Sequence, residues 1–313
     1  MTISPAPLHA GSRRHRTRLT FRPAAALRKV RGAVGFGASC WLVCLAHHLN
    51  GDPMALLNAG YFTLAAGLVL PALGLAPTTT KYRIDQTLTQ EMDATPAGGA
   101  KQRIAFSTTS FVTVSLADSG GGKSIRVVVD SVKGDSATPI PAPVLDSARG
   151  AEFRGFVEKS GKPSGLTPTA HAGAAVQIQG LLSDFFPWAR PGLKVGDSWT
   201  DTTAKTSGTG SDSVTVRRVS AYKAAANETK ESRKAVRVVQ DFTSSVQGTQ
   251  PTPNGPAKIE GTSKGNGSYY VAPDGRYLGG AWQQQSALKI SGSFAPQPLP
   301  ITIVQKTSVS TLK

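Results

Sequence analysis

From Tyr82 onward the chain alternates apolar and polar positions with a period of two, almost to its end. Tyr82–Leu88, Arg103–Leu116 and Ser124–Val132 open the series, each drawn largely from Thr, Ser, Val, Ile and Phe. Further runs cover Glu152–Lys159, Asp212–Tyr222, Ala235–Gln247, Lys258–Val271, Tyr277–Ile290 and Ile301–Leu312. Successive side chains of a strand point to opposite faces, so this alternation marks strands with one face buried. Clusters of Gly, Pro, Asn or Asp bound each run, as the turns of a meander require. Nine or more such strands predict a mainly β protein: one strongly curved antiparallel sheet, or an open or half barrel.

One segment departs from this period. Ala174–Ala189 places Val176, Ile178, Leu181, Leu182, Phe185 and Phe186 at near-helical spacing, and Pro187 ends the pattern. A short amphipathic helix is therefore expected against the concave side of the sheet. Such a stripe more often completes a core than lines a ligand site. Where helix and sheet leave a groove, it is also the place where the chain could take an apolar ligand. Leu181, Leu182, Phe185, Phe186 and Trp188 are the candidate ligand-binding residues.

The pattern upstream of residue 77 is different in kind. Residues 1–32 read as a basic, unstructured arm, with Arg13, Arg14, Arg16, Arg18, Arg22, Arg28, Lys29 and Arg31 and no acid. Residues 33–76 hold two apolar stretches, Ala33–Leu49 and Met54–Ala76, and no charged residue lies between Pro53 and Thr80. The second stretch exceeds the roughly 20 residues that span a hydrocarbon core. It contains Asn58, Gly60, Gly67 and Pro71 and ends in small residues around Gly74 and Ala76, as export signals do before their cleavage point. Three readings stay open: a long signal whose basic region is 1–31, a membrane anchor formed by the arm and first stretch, or translation from Met54. Each is compatible with residues 77–313 forming an exported β-rich domain attached to, or released from, a membrane.

Charge distribution removes one class of partner. The net charge is +16, yet the arm alone contributes +8. Residues 81–313 carry 27 basic and 18 acidic residues, a net +9 without an evident stripe. Nucleic-acid grooves interleave basic clusters with stacking aromatics. Here the adjacent basic pairs are Arg217-Arg218 and Arg233-Lys234, and alternation sends the members of a pair to opposite faces. A moderately basic surface is expected, with no nucleic-acid partner.

The side chains that usually do chemistry are sparse. Residues 81–313 contain no cysteine and one histidine, His171. Cys40 and Cys44 share a helical face but lack a second ligand pair, and His47-His48 is the nearest histidine, so small apolar residues of a membrane segment describe them better than a zinc site. Asp118–Ser124 imitates a phosphate loop, but Ser124 opens a strand instead of the helix that such a loop needs. It reads as a hairpin turn. Asp118-Ser119-Gly120 resembles one half of an aspartic-protease dyad without a second copy. Gly261–Gly265 matches a nucleophile elbow by letter, inside a strand-rich stretch. No cofactor and no metal is expected.

The most distinctive stretch is Phe186–Trp199, in which Leu193 and Val195 are placed to dock on the sheet, Gly196-Asp197 to turn, and Trp199 to bury its ring at the start of a strand. This helix, proline-containing link and Val-Gly-Asp-Ser-Trp turn resembles a family of exported bacterial β-rich proteins of unknown function. In that family a Leu-Pro stands where this chain has Trp188-Ala189-Arg190-Pro191. Gly265–Leu278, with its Asp274-Gly275 turn, is similar to a hairpin of that family and of periplasmic lipoprotein-carrier folds. The resemblance implies an exported β domain and assigns no activity or functional residue.

The functional expectation is a non-enzymatic envelope protein that binds a lipid, another apolar or amphipathic ligand, or a protein partner between helix and sheet. Two alternatives stand beside it. One is a glycan-acting enzyme that uses carboxylates alone, for which Asp184, Asp197 and Asp201 are the nearest acidic group. The other is a purely structural role.

Overall fold

The computed structural model describes residues 77–170, 175, 178–180, 182, 185–252, 255–293 and 295–312. The basic arm, both apolar stretches, Cys40, Cys44, His171, Leu181 and Asp184 lie outside the described residues. Eleven strands follow one another: β1 Thr78–Asp93, β2 Lys101–Ser119, β3 Gly122–Gly134, β4 Glu152–Glu158, β5 Thr167–Ala170, β6 Ser198–Thr209, β7 Asp212–Lys230, β8 Arg233–Gln250, β9 Ala257–Val271, β10 Tyr277–Gly292 and β11 Ala295–Leu312. A short helix, α1, covers Ala142–Ser147.

All eleven strands form one antiparallel sheet in the order β5-β4-β3-β2-β1-β11-β10-β9-β8-β7-β6. The expected β-rich, curved and unclosed sheet is thus what the chain forms. The first and last strands pair at its centre, with Ile84 opposite Val309, and β5 and β6 are the two edges. The chain leaves the centre, meanders to β5, crosses through residues 171–197 to the opposite edge, and meanders back.

Burial explains the length of the strands. Tyr82, Ile84, Leu88, Gln90 and Met92 alternate with more exposed residues along β1, as do Val112 and Val114 on β2 and Ile125, Val127 and Val129 on β3. One core cluster contains Val127 from β3, Val238 from β8, and Ile178, Leu182 and Phe185 from the segment between β5 and β6. Nine strand spacings of roughly 4.8 Å separate β4 from β6 along a flat sheet, yet Lys162, in the loop after β4, lies 2.7 Å from Asp201 on β6, so the sheet curls. Register shifts bend the strands, at Phe111/Val112, Ala224/Ala226 and Tyr277/Gly280. At the last of these Gly279 has φ 94° and faces the Val309 carbonyl where a Cβ would stand.

Ala175, Ile178, Gln179, Gly180 and Leu182 are helical, in the segment where apolar spacing predicted a helix. The tight turn at Gly196 forms as expected: Gly196 has φ 100°, its N–H donates to the Ala224 carbonyl at 2.8 Å, and Lys194 N–H donates to Asp197 Oδ2 at 2.9 Å. Leu193 packs on the core, but Val195 is 49% exposed. Placing Val195 on the sheet is therefore corrected: it sits at the apex of the turn, where its neighbours fold back and leave it in solvent. Trp199 is half-buried, stacked on Tyr222 at 5.1 Å with 9° between the rings.

Candidate functional site: an apolar cleft beside the helical segment

Four connections converge at one end of the sheet. They are the β2–β3 turn, the β4–β5 loop, the link after the helical segment and the β9–β10 turn, and between them lies a cleft of about 710 Å³. That volume falls within the roughly 300–1,000 Å³ typical of small-molecule sites. Its lining includes the apolar side chains of Leu116, Val157, Phe186, Ala189 and Pro191. Asp118, Lys123, Glu158, Lys159 and Asp274 supply charge.

Local sequence explains why the walls hold their shape. Ser119 pairs with Gly122 across the Gly120-Gly121 hairpin, as the glycine-rich run predicts. Gly161 has φ 81° and donates its N–H to the Glu158 carbonyl at 2.8 Å, while the Ala189 carbonyl fills the place of a Cβ. In the Asp274-Gly275 turn, Gly275 has φ 83°, and Arg276 N–H donates to Asp274 Oδ1 at 3.0 Å. Gly192 N–H donates to the Pro273 carbonyl at 3.1 Å and ties the link to this turn.

A buried aromatic cluster stands behind the cleft. Phe186 meets Tyr277 edge-on at 5.7 Å and Phe185 at 6.0 Å. Tyr82 stacks on Tyr277 at 5.6 Å, and Tyr269 meets Tyr277 at 6.3 Å. Burial pushes the hydroxyls of Tyr82, Tyr269 and Tyr277 above the ordinary tyrosine range. They stay protonated and neutral.

Side chains also bridge the two sheet edges. Trp188 Nε1 donates to the Ser160 carbonyl at 2.9 Å, and the Trp188 carbonyl accepts from the Tyr269 hydroxyl at 2.8 Å. Lys162 Nζ lies 2.7 Å from Asp201 Oδ1 and 5.2 Å from the centre of the Trp188 ring. Arg190 covers Trp199 at 4.9 Å. The loop after β4 is thereby fastened to β6 without a backbone ladder.

The candidate residues divide. Phe186 lines the cleft and Trp188 lies in the bridge beside it. Leu182 and Phe185, each 1% exposed, belong to the core and are not part of the cleft lining. Asp197 caps its own turn and Asp201 is paired with Lys162. Asp118–Lys123 is a hairpin turn and Gly261–Gly265 lies within β9. The cleft also draws on Leu116 and Val157, which the sequence did not single out. Leu116 lies four residues before the Gly120-Gly121 turn that rims the site, a signal visible only once that turn is known to face the link. Among the described residues no cluster of His, Cys, Asp or Glu is arranged to hold a metal ion, and no helix is long and apolar enough to cross a membrane.

No family model and no curated protein matches the chain, so the family resemblance rests on the residues quoted for it. Among solved structures, Pseudomonas aeruginosa OccK2 (OpdF), crystallised in complex with glucuronate, is 9% identical and aligns over 75% of this chain and 98% of its own. Its TM-score is 0.26, a likeness that carries no argument.

Proposed function

We propose that the chain is an exported cell-envelope protein that binds the apolar part of an amphipathic ligand in the cleft beside Phe186. The observation that carries this reading is the cleft itself: apolar side chains from two strands and the link line it together with charged side chains, and hydrogen-bonded turns hold its walls. Apolar and charged side chains in one cleft match a molecule with a hydrocarbon part and a polar end. The basic arm followed by uncharged residues supports export. The role is binding, without a reaction.

Native mass spectrometry of the protein purified under mild conditions tests the reading: a co-purified lipid-like mass is expected, and its loss in a Leu116→Trp variant that fills the cleft. A parent protein that carries no such mass and takes up none from added lipid would contradict it. Export is tested separately by a reporter enzyme fused after Lys81, which should be active outside the cytoplasm; activity confined to the cytoplasm would refute it.

A further inference from the structure

The aromatic cluster behind the cleft satisfies two of its three tyrosine hydroxyls. The Tyr82 hydroxyl donates to the Tyr277 carbonyl at 2.8 Å, and the Tyr269 hydroxyl donates to the Trp188 carbonyl at 2.8 Å. The Tyr277 hydroxyl has no hydrogen-bond partner among the described residues, although the residue is 1% exposed. Nearly every buried polar group in a folded protein finds a partner, because an orphan forfeits its hydration without return. Among the described residues the Tyr277 hydroxyl is one of a few such exceptions, with Trp199 Nε1, Gln250 Oε1 and Thr307 Oγ1, and it alone belongs to the tyrosine whose ring packs against Phe186. Phe186 is half-buried and lines the cleft. Phe186 thus touches both the cleft and the ring of the tyrosine with the orphan hydroxyl.

We infer that Phe186 is a movable partition, and that the ligand of the cleft carries an uncharged oxygen, a hydroxyl or a carbonyl, that hydrogen-bonds the Tyr277 hydroxyl when the Phe186 ring turns aside. This rests on the binding role proposed for the cleft and specifies its ligand: an apolar body ending in a neutral hydrogen-bonding group, as in a long-chain alcohol. An ionised carboxylate fits worse. It would lose its hydration beside Tyr82, Tyr269 and Phe186, where Arg276 and Arg190 act on the Tyr82 and Tyr269 hydroxyls by charge alone and no cation hydrogen-bonds the cluster's hydroxyls among the described residues.

Displacement of the uncharged dye N-phenyl-1-naphthylamine by 1-decanol and by decanoate tests this on the full chain. Decanol is expected to compete better than decanoate. Tyr277→Phe should weaken decanol about three- to tenfold, the share of one hydrogen bond, with a melting temperature unchanged or slightly raised. Phe186→Trp, which thickens the partition, should also weaken decanol and serves as the second variant if Tyr277→Phe folds poorly. Decanol affinity equal in parent and both variants, or decanoate binding as well as decanol, would overturn the inference and leave the cleft as a plain apolar site. A parent that binds neither dye nor decanol would overturn the binding role as well.

Discussion

Phe185 and Phe186 are neighbours in sequence with different surroundings. Phe185 is fully buried against Tyr82 at 6.1 Å, whereas Phe186 borders the cleft. Truncating a buried Phe removes its transfer energy and leaves a cavity, so Phe185→Ala should cost about 3–5 kcal/mol, a large share of the roughly 5–15 kcal/mol that holds a domain folded. Urea unfolding measures it, and a midpoint close to the parent's would show that the site collapses or that Phe185 is not core. Phe186→Ala should cost clearly less stability and change apolar-dye binding instead. The helical spacing made both residues visible from sequence. It did not say which would turn toward a cleft, because that depends on Leu116 and Val157, some 30 to 70 positions away on other strands.

Strand existence was legible wherever one face is apolar, and all nine predicted runs fall on strands, one of them, Glu152–Lys159, overrunning its strand by a single residue. β6 carried no such signal as a whole, since below Trp199 its inner-face positions are Asp201, Thr203, Lys205 and Ser207, polar residues that leave nothing to alternate with. β5 is four residues long and contains Pro168, which reads as loop. Near that edge the sheet is reinforced by charge. Glu152 on β4 receives Arg126 Nε at 2.8 Å and Arg154 Nε at 2.7 Å. The Arg126 hydrogen bond first, then that of Arg154, lower its carboxyl from 4.5 to about 2. A carboxyl with a lowered folded-state pKa stabilises fully above its unfolded value and loses that contribution as it is protonated in the fold. Stability should therefore fall as pH drops from about 4.5 toward about 2, and Glu152→Gln should flatten this part of the curve while lowering stability at neutral pH. An unchanged slope in denaturant midpoints across that window would show that the pair contributes nothing.

At the scale of the whole sheet, its centre is the pairing of the first described strand with the last. Lys81 lies opposite Leu312 and Met92 opposite Ile301, contacts that span most of the described chain. Fold class follows from period and turns, but this closure does not, because alternation says which face is buried and not which strand is neighbour to which. Removing residues 295–313 would expose both β1 and β10 as new edges and uncover Leu88 and Met92, which are 8% and 5% exposed. Circular dichroism and thermal melting of that truncation should show no cooperative transition; a parent-like melt would mean that the two halves of the sheet are stable apart. Contacts of such sequence separation also predict slow folding, on the millisecond-to-second scale of β-rich domains.

The central claim is that the cleft beside Phe186 takes an apolar ligand, and titration of N-phenyl-1-naphthylamine into the parent and into Leu116→Trp tests it most directly. Leu116 is half-buried and lines the cleft, so the larger ring should fill the site with little loss of core. The account predicts saturable binding by the parent with one site per chain, and binding at least tenfold weaker in a variant that melts like the parent. Absence of saturable binding by the parent, or equal affinity in both proteins, would contradict it.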